Sequence, residues 1–293
     1  MIRIVCALSL LFGSFLHSAE LPNSLLWKVT SPQGAISHVF GTIHLQDSSV
    51  FRQRDTVLSL VRTCRTYASE MHLDSVMAMM QPSVLFLSGK TLYDLADSAD
   101  VKRICAALQS RVPSMSPLCT RLKPGAIGML LSFGAVEQTA PVAMDQFLWD
   151  LAKQHKPLLI GLETLDEQIA VIDQLTAKML IDHLENIVHE DSLALILPRH
   201  YANEDLNALA AITDDTTEAY SGIVESLNDD RNVVMVQRMK QMLTTGDAFI
   251  AIGALHLTGE KSILLLLKKE GYLVEPVLGG KRSQWLFNEF GED

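Results

Sequence analysis

Positive charge, cysteine and long hydrophobic runs are all scarce in this chain. Lys and Arg number 24 against 34 Asp and Glu, a net charge of −10, which disfavours a nucleic-acid-binding surface. The early apolar run from Ile4 to Leu16 is well short of the roughly 20 residues that span a bilayer. No later run is long and uncharged enough, so the mature chain is expected to lack a transmembrane span. Low-complexity linkers and repeats of solenoid period are also missing, which points to one domain rather than an array. What is abundant is apolar residues: 48% of 293 positions, ample for a buried core.

Arg3, the Ile4 to Leu16 run and the small residues Ser18 and Ala19 together read as an export signal over residues 1–19. The expected location is therefore exported, periplasmic or secreted, with residues 20–293 forming the mature domain. Of four cysteines, Cys6 leaves with the leader, and Cys64, Cys105 and Cys119 remain. An odd number leaves one thiol free. Cys105 and Cys119 are close enough in sequence to bridge; three reduced buried thiols is the competing reading.

Hydrophobic periodicity divides the chain into strands near both ends and a long helical middle, about residues 74–245. "LLWKVT" and "ISHVFG" flank the turn "SPQGA" as a hairpin, and "RTYASEM" and "PLLIGLE" read as strands. "TLDEQIAVIDQL" opens a helix with Thr164 and Glu167 in capping-box spacing. Strand "DAFIAIG", helix "EKSILLLLKKEG" and strand "YLVEPV" form a βαβ order, which predicts a parallel pair. The expected fold is α/β: a central mixed β-sheet with parallel strands at its core, an N-terminal β-hairpin and a large helical insertion.

Four of the expected strands end in a titratable residue: His44 after "HVFGTI", Glu70 after "TYAS", Glu163 after "LLIGL" and His256 after "FIAIGAL". Strand carboxyl ends line the ligand crevice of an open α/β sheet, so four residues remote in sequence can converge there. Two His and two Glu suit a metal hydrolase, since imidazole and carboxylate bind divalent ions and a spare carboxylate takes a proton from water. Gly41 and Gly253 let the backbone turn or approach closely at those ends. The helix after His256 would disfavour imidazolium and leave a neutral ring as ligand. Arg231, in "DDRN", is either a clamp for a substrate carboxylate or oxyanion, or part of an ordinary Asp-capped helix start.

Other constellations read as bland. His183 and His189 in "HLENIVHED" are six apart, about 240° around a helix, and do not make a zincin pair. "SGKT" and "GEKS" lack the leading Gly of a phosphate loop, the Met residues of "MHLDSVMAMMQ" read as core, and His38 reads as core or edge.

These residues resemble the TraB/GumN family, related to the Tiki proteins, over nearly the whole mature chain. The resemblance is carried by "LLWKV" leading to "FGTIHL", "SEMHLD", "AMDQFLWDLAKQHKPLLIGLETLDEQIAVID", "DDRNVVMVQRMKQML" and "AFIAIGALHLTGEKSILLLLKKEGYLVEPV". It maps paired G-x-x-H elements to Gly41–His44 and Gly253–His256, acidic strand ends to Glu70 and Glu163, and an "RN" pair to Arg231 and Asn232. Tiki-like members are described as metal-dependent proteases, so the resemblance implies a site more firmly than a substrate. The expected function is an exported metal-dependent hydrolase of peptides or proteins, with His44, Glu70 and His256 on one Mn, Co or Zn ion, and with Glu163 and Arg231 catalytic. The roles of Glu70 and Glu163 could be exchanged. The alternative is a periplasmic binding protein that sequesters a peptide or a metal-bearing cofactor in the same cleft without turnover.

Overall fold

The structure is a computed structural model that describes residues 21–75, 81–133, 138–216 and 221–287. The expected leader, Met77, Met79 and Met80, and the side chains of His183 and His189 lie outside the described residues. Eight strands occur in the order β1 (Leu26–Thr30), β2 (Ile36–Thr42), β3 (Arg52–Arg54), β4 (Thr66–Met71), β5 (Leu158–Glu163), β6 (Ala248–Gly253), β7 (Leu273–Pro276) and β8 (Arg282–Gln284). The helices are α1 (Asp55–Thr63), α2 (Pro82–Leu85), α3 (Ser98–Arg111), α4 (Pro124–Phe133), α5 (Met144–His155), α6 (Leu165–Asp173), α7 (Ala177–Ala202), α8 (Leu206–Thr216), α9 (Ser221–Thr245) and α10 (Ile263–Lys269).

Six strands form one mixed sheet in the order β5-β4-β6-β2-β1-β7. The four from β5 to β2 are mutually parallel, and β1 runs antiparallel to both β2 and β7. Strand β6 is apolar through Ile252 and buried at each of those positions, as a parallel strand covered on both faces must be. Its core position follows from a sequence without polar alternation. The β1–β2 hairpin closes where Gly34 adopts φ +87° and donates its N–H to the Ser31 carbonyl, a conformation that costs Gly little.

One topological expectation holds in direction, since β6 and β7 run parallel within one sheet, but not in pairing. β6, α10 and β7 follow one another, but β6 and β7 are not paired: β2 and β1 lie between them, and β7 pairs antiparallel with β1. The hairpin takes the edge of β6 because β2 carries the apolar Val39 and Phe40, both buried there. The small β3–β8 sheet, Arg52–Arg54 against Arg282–Gln284, was not read from the sequence either. Its three-residue polar strands carry no usable period.

The helical insertion has a core of its own, in which Leu92, Val101, Ile104, Leu108, Leu122 and Ile127 are fully buried. Cys105 of α3 is disulfide-bonded to Cys119 in the 3₁₀ segment Pro113–Arg121, with Cα atoms 5.6 Å apart. Among the described residues Cys64 is the free thiol, and burial raises its pKa to about 11. The bridge spans a sequence separation of 14, for which loop closure in the unfolded chain corresponds to about 3 kcal/mol. Replacing both cysteines by Ser is expected to lower stability by about 2–3 kcal/mol, read from denaturant midpoints. An unchanged midpoint would show that the bridge contributes nothing to folding.

Candidate active site

The carboxyl ends of β5, β4, β6 and β2 lie side by side, and with them Glu163, Glu70, Gly253 and Thr42. The two G-x-x-H elements are therefore neighbours in space: Gly41 is in register with Ile252 and Thr42 with Gly253. Both glycines are required by close approach. A Cβ on Gly41 would stand 2.9 Å from Leu257 Cδ1 and 3.1 Å from Ala254 Cα. At Gly253, with φ −52°, a Cβ would stand 2.9 Å from Glu70 Oε1, so the requirement is space for the carboxylate, not a left-handed backbone. That same oxygen accepts the Gly253 N–H at 2.6 Å. Gly253→Val is expected to displace Glu70, lowering stability by about 1–3 kcal/mol and activity with it. A thermal melt and an activity assay equal to wild type would make the glycine incidental.

His256 sits in a 3₁₀ turn, Ala254–Leu257, and is 4% exposed. The N-terminus of α10 lies farther on at Ile263, capped by Ser262, so the expected influence of a following helix on the ring is replaced by two side chains. Asn232 of α9 donates through Nδ2 to the Lys261 carbonyl at 3.0 Å, which leaves Oδ1 facing His256 Nδ1 at 2.6 Å. The imidazole must then carry its proton on Nδ1. Nε2 is left towards Glu70 Oε1, 3.6 Å away, beyond hydrogen-bond range.

His44 is held in the same manner by a residue of another helix. Its Nδ1 donates to Oδ2 of Asp145, in the first turn of α5. The Asp145 charge raises the imidazole pKa to about 10 against the opposing effect of burial. The ring is 61% exposed, so water screens part of that attraction. Nε2 can ligate an ion only by losing a proton. Asp145 Oδ1 is buried without a hydrogen-bond partner among the described residues.

Arg231 joins the two glutamates. Its Nε and one terminal nitrogen donate to the two oxygens of Glu163, each at 2.7 Å, and that nitrogen also donates to Glu70 Oε2 at 2.9 Å. Arg231 lies well inside α9, so the reading of "DDRN" as a capped helix start fails; the carboxylates that the guanidinium holds are the chain's own Glu163 and Glu70. Gln168 Nε2 donates to Glu163 Oε2, and the Thr164–Glu167 capping box fixes the start of α6 that carries it. Burial alone would raise the Glu70 pKa, but the charges of His256, His44 and Arg231 outweigh it and hold the carboxyl well below its usual range.

Glu70, Glu163, Arg231 and His256 are thus linked by side-chain approaches, while His44 follows the neighbouring strand end and is held by Asp145. Asp145, and the roles of Asn232 and Gln168, were not found by sequence reasoning. His38, the third residue of β2, lies opposite Lys28 and lines a small cavity with Cys64 and Asp247, and burial lowers its pKa.

Among the described residues no three His, Cys, Asp or Glu side chains form a ready-made ion cage. The donor types nevertheless suit a divalent ion at one pair, since His256 Nε2 faces a carboxylate oxygen and the other ring nitrogen is held by an amide oxygen. No curated protein and no solved structure matches the chain. The family model for the TraB/PrgY/gumN family matches residues 25–276, and with that span the chain belongs to this family.

Proposed function

We propose that the chain is an exported metal-dependent hydrolase acting on peptides or proteins. The observation that carries this reading is His256 Nε2 facing Glu70 Oε1 at 3.6 Å with its Nδ1 held by Asn232 Oδ1, beside the neighbouring strand end whose G-x-x-H supplies His44, its own Nδ1 held by Asp145. His256, Glu70 and His44 would hold the ion, with Mn, Co or Zn all suited to mixed N and O ligands. When bound, such an ion supplies Lewis acidity and eases the ionisation of water.

The chain's own groups supply the rest. Asn232 and Asp145 keep each imidazole in the tautomer that presents Nε2. Glu163, at the end of β5, accepts a proton, and Arg231 offers a planar fork of donors to a substrate carboxylate or a developing oxyanion. The Cys105–Cys119 bridge suits an oxidising compartment, which supports export alongside the leader. Among the described residues no helix is long and apolar enough to cross a membrane.

The test is metal analysis of the native protein, followed by hydrolysis of a peptide library with chelator and with added Mn²⁺. Chelator-sensitive cleavage is the expected result; cleavage indifferent to chelator and to Mn²⁺ would sink the metal reading. One observation favours the second reading, capture of a peptide or cofactor without turnover: both oxygens of Glu163 are engaged by Arg231. Stoichiometric peptide binding with no cleavage under any ion would decide for it.

A further inference from the structure

We propose that Arg231 is a built-in counter-cation of the Glu70–Glu163 pair, which a divalent ion displaces, so that ion uptake and release of the guanidinium are a single exchange. The inference rests on the metal-dependent reading above and concerns how that site is kept closed and then opened.

The two carboxylates come from adjacent parallel strands, and their side chains are 14% and 3% exposed. Two like charges placed together with so little water need a cation between them or one must protonate. Arg231 is that cation, with its own side chain 17% exposed. It contacts Glu163 Oε1, Glu163 Oε2 and Glu70 Oε2, while Glu70 Oε1 accepts the Gly253 N–H. No oxygen of the pair is therefore without a donor, and Arg231 supplies the donor to three of the four.

An ion seated at Glu70 Oε1 and His256 Nε2 can add Glu70 Oε2 or a Glu163 oxygen to its shell only by breaking a bond that the guanidinium makes. Charge favours exchange over addition. The carboxylates carry −2 and Arg231 brings the pair to −1, whereas a divalent ion alone brings it to zero. Both cations together would leave +1 beside two imidazoles in a poorly hydrated site, the costlier arrangement. Release needs no movement of α9, because Asn232, the next residue, is anchored independently to Lys261 and His256. The freed fork then stands at the crevice as the anion clamp that the proposed chemistry needs. Arg231 in this role opposes the ion when the site is empty of substrate and serves the substrate once the ion is in place.

The experiment is calorimetric titration of metal-stripped protein with Mn²⁺ alone, with Co²⁺ and Zn²⁺ as further probes, on wild type, Arg231→Ala and Arg231→Lys. Thermal melts of each are recorded with and without the ion. Removing the competitor should tighten Mn²⁺ binding by about tenfold or more in Arg231→Ala, which is about 1.4 kcal/mol. Its melting temperature without ion should fall, and Mn²⁺ should raise it more than it raises wild type, since tighter binding to the folded state stabilises more at equal concentration. Arg231→Lys keeps a charge but loses the fork, and should lie between. If Arg231→Ala is too unstable to purify, the Lys variant carries the test: binding tighter than wild type supports exchange. Equal or weaker binding in the variants overturns it, making the arginine a supporting contact. If none of the three ions binds to any form, the metal-dependent reading falls as well, an outcome distinct from the preceding one.

Discussion

His44→Ala and His256→Ala are each expected to cut hydrolysis by on the order of 10³-fold or more, and the double variant should cost no more than either alone. The reason is geometric. β2 and β6 are parallel neighbours whose ends are in register, with Gly41 and Gly253 offset by one residue, so the two G-x-x-H turns leave the sheet side by side next to Glu70. Residues that act as a unit are non-additive, because the first deletion already disables the whole. The environments of the two rings differ, and so should the side effects. His256 is buried and bonded to Asn232, so its removal leaves an amide oxygen without a partner and lowers stability by about 1–3 kcal/mol. His44 is itself 61% exposed, but its loss leaves the 14%-exposed Asp145 carboxylate without this partner, so the melting temperature should fall there too, through Asp145 and not through the ring. Ion content measured on both variants, with rates, separates loss of the site from loss of the fold. Full ion content and full rate in both single variants would mean that no shared site exists.

Much of this site was legible because strand ends announce themselves. The runs that become β2, β4, β5 and β6 are short, β-prone and each followed by a titratable residue within a few positions, and parallel strands bring such ends to one edge whatever their order. The pairing order was less legible: β7 follows β6 and α10, yet pairs with β1, because which strand takes an edge depends on burial across the whole sheet. Asp145 escaped notice since its partner His44 lies 101 residues away and it begins a helix, where an acidic residue has an ordinary role. Arg231 was ambiguous for a related reason. "DDRN" looks like a helix start, but α9 begins at Ser221, and only the folded position aims the guanidinium at two strand ends.

Glu163→Gln is expected to lower turnover by about 10²–10⁴-fold, the usual worth of a general base, while the ion stays bound. The amide keeps the shape of the carboxylate but cannot take the proton. It also disturbs Arg231, because one of its two polar atoms now donates where the guanidinium needs acceptors at both Nε and the terminal nitrogen. Displacement of Arg231 by the exchange described above should therefore be easier, so ion affinity in Glu163→Gln should be equal to or greater than in wild type. Glu70→Gln should behave in the opposite way. Its Oε1 faces His256 and its charge sits among both imidazoles and Arg231, so neutralising it removes a ligand and the ion with it, and turnover falls as a consequence. Ion content and single-turnover rates on both variants distinguish a ligand from a base, which rates alone cannot do. Loss of the ion in Glu163→Gln with retention in Glu70→Gln would exchange the two roles, and wild-type turnover in Glu163→Gln would remove the base from this edge of the sheet altogether.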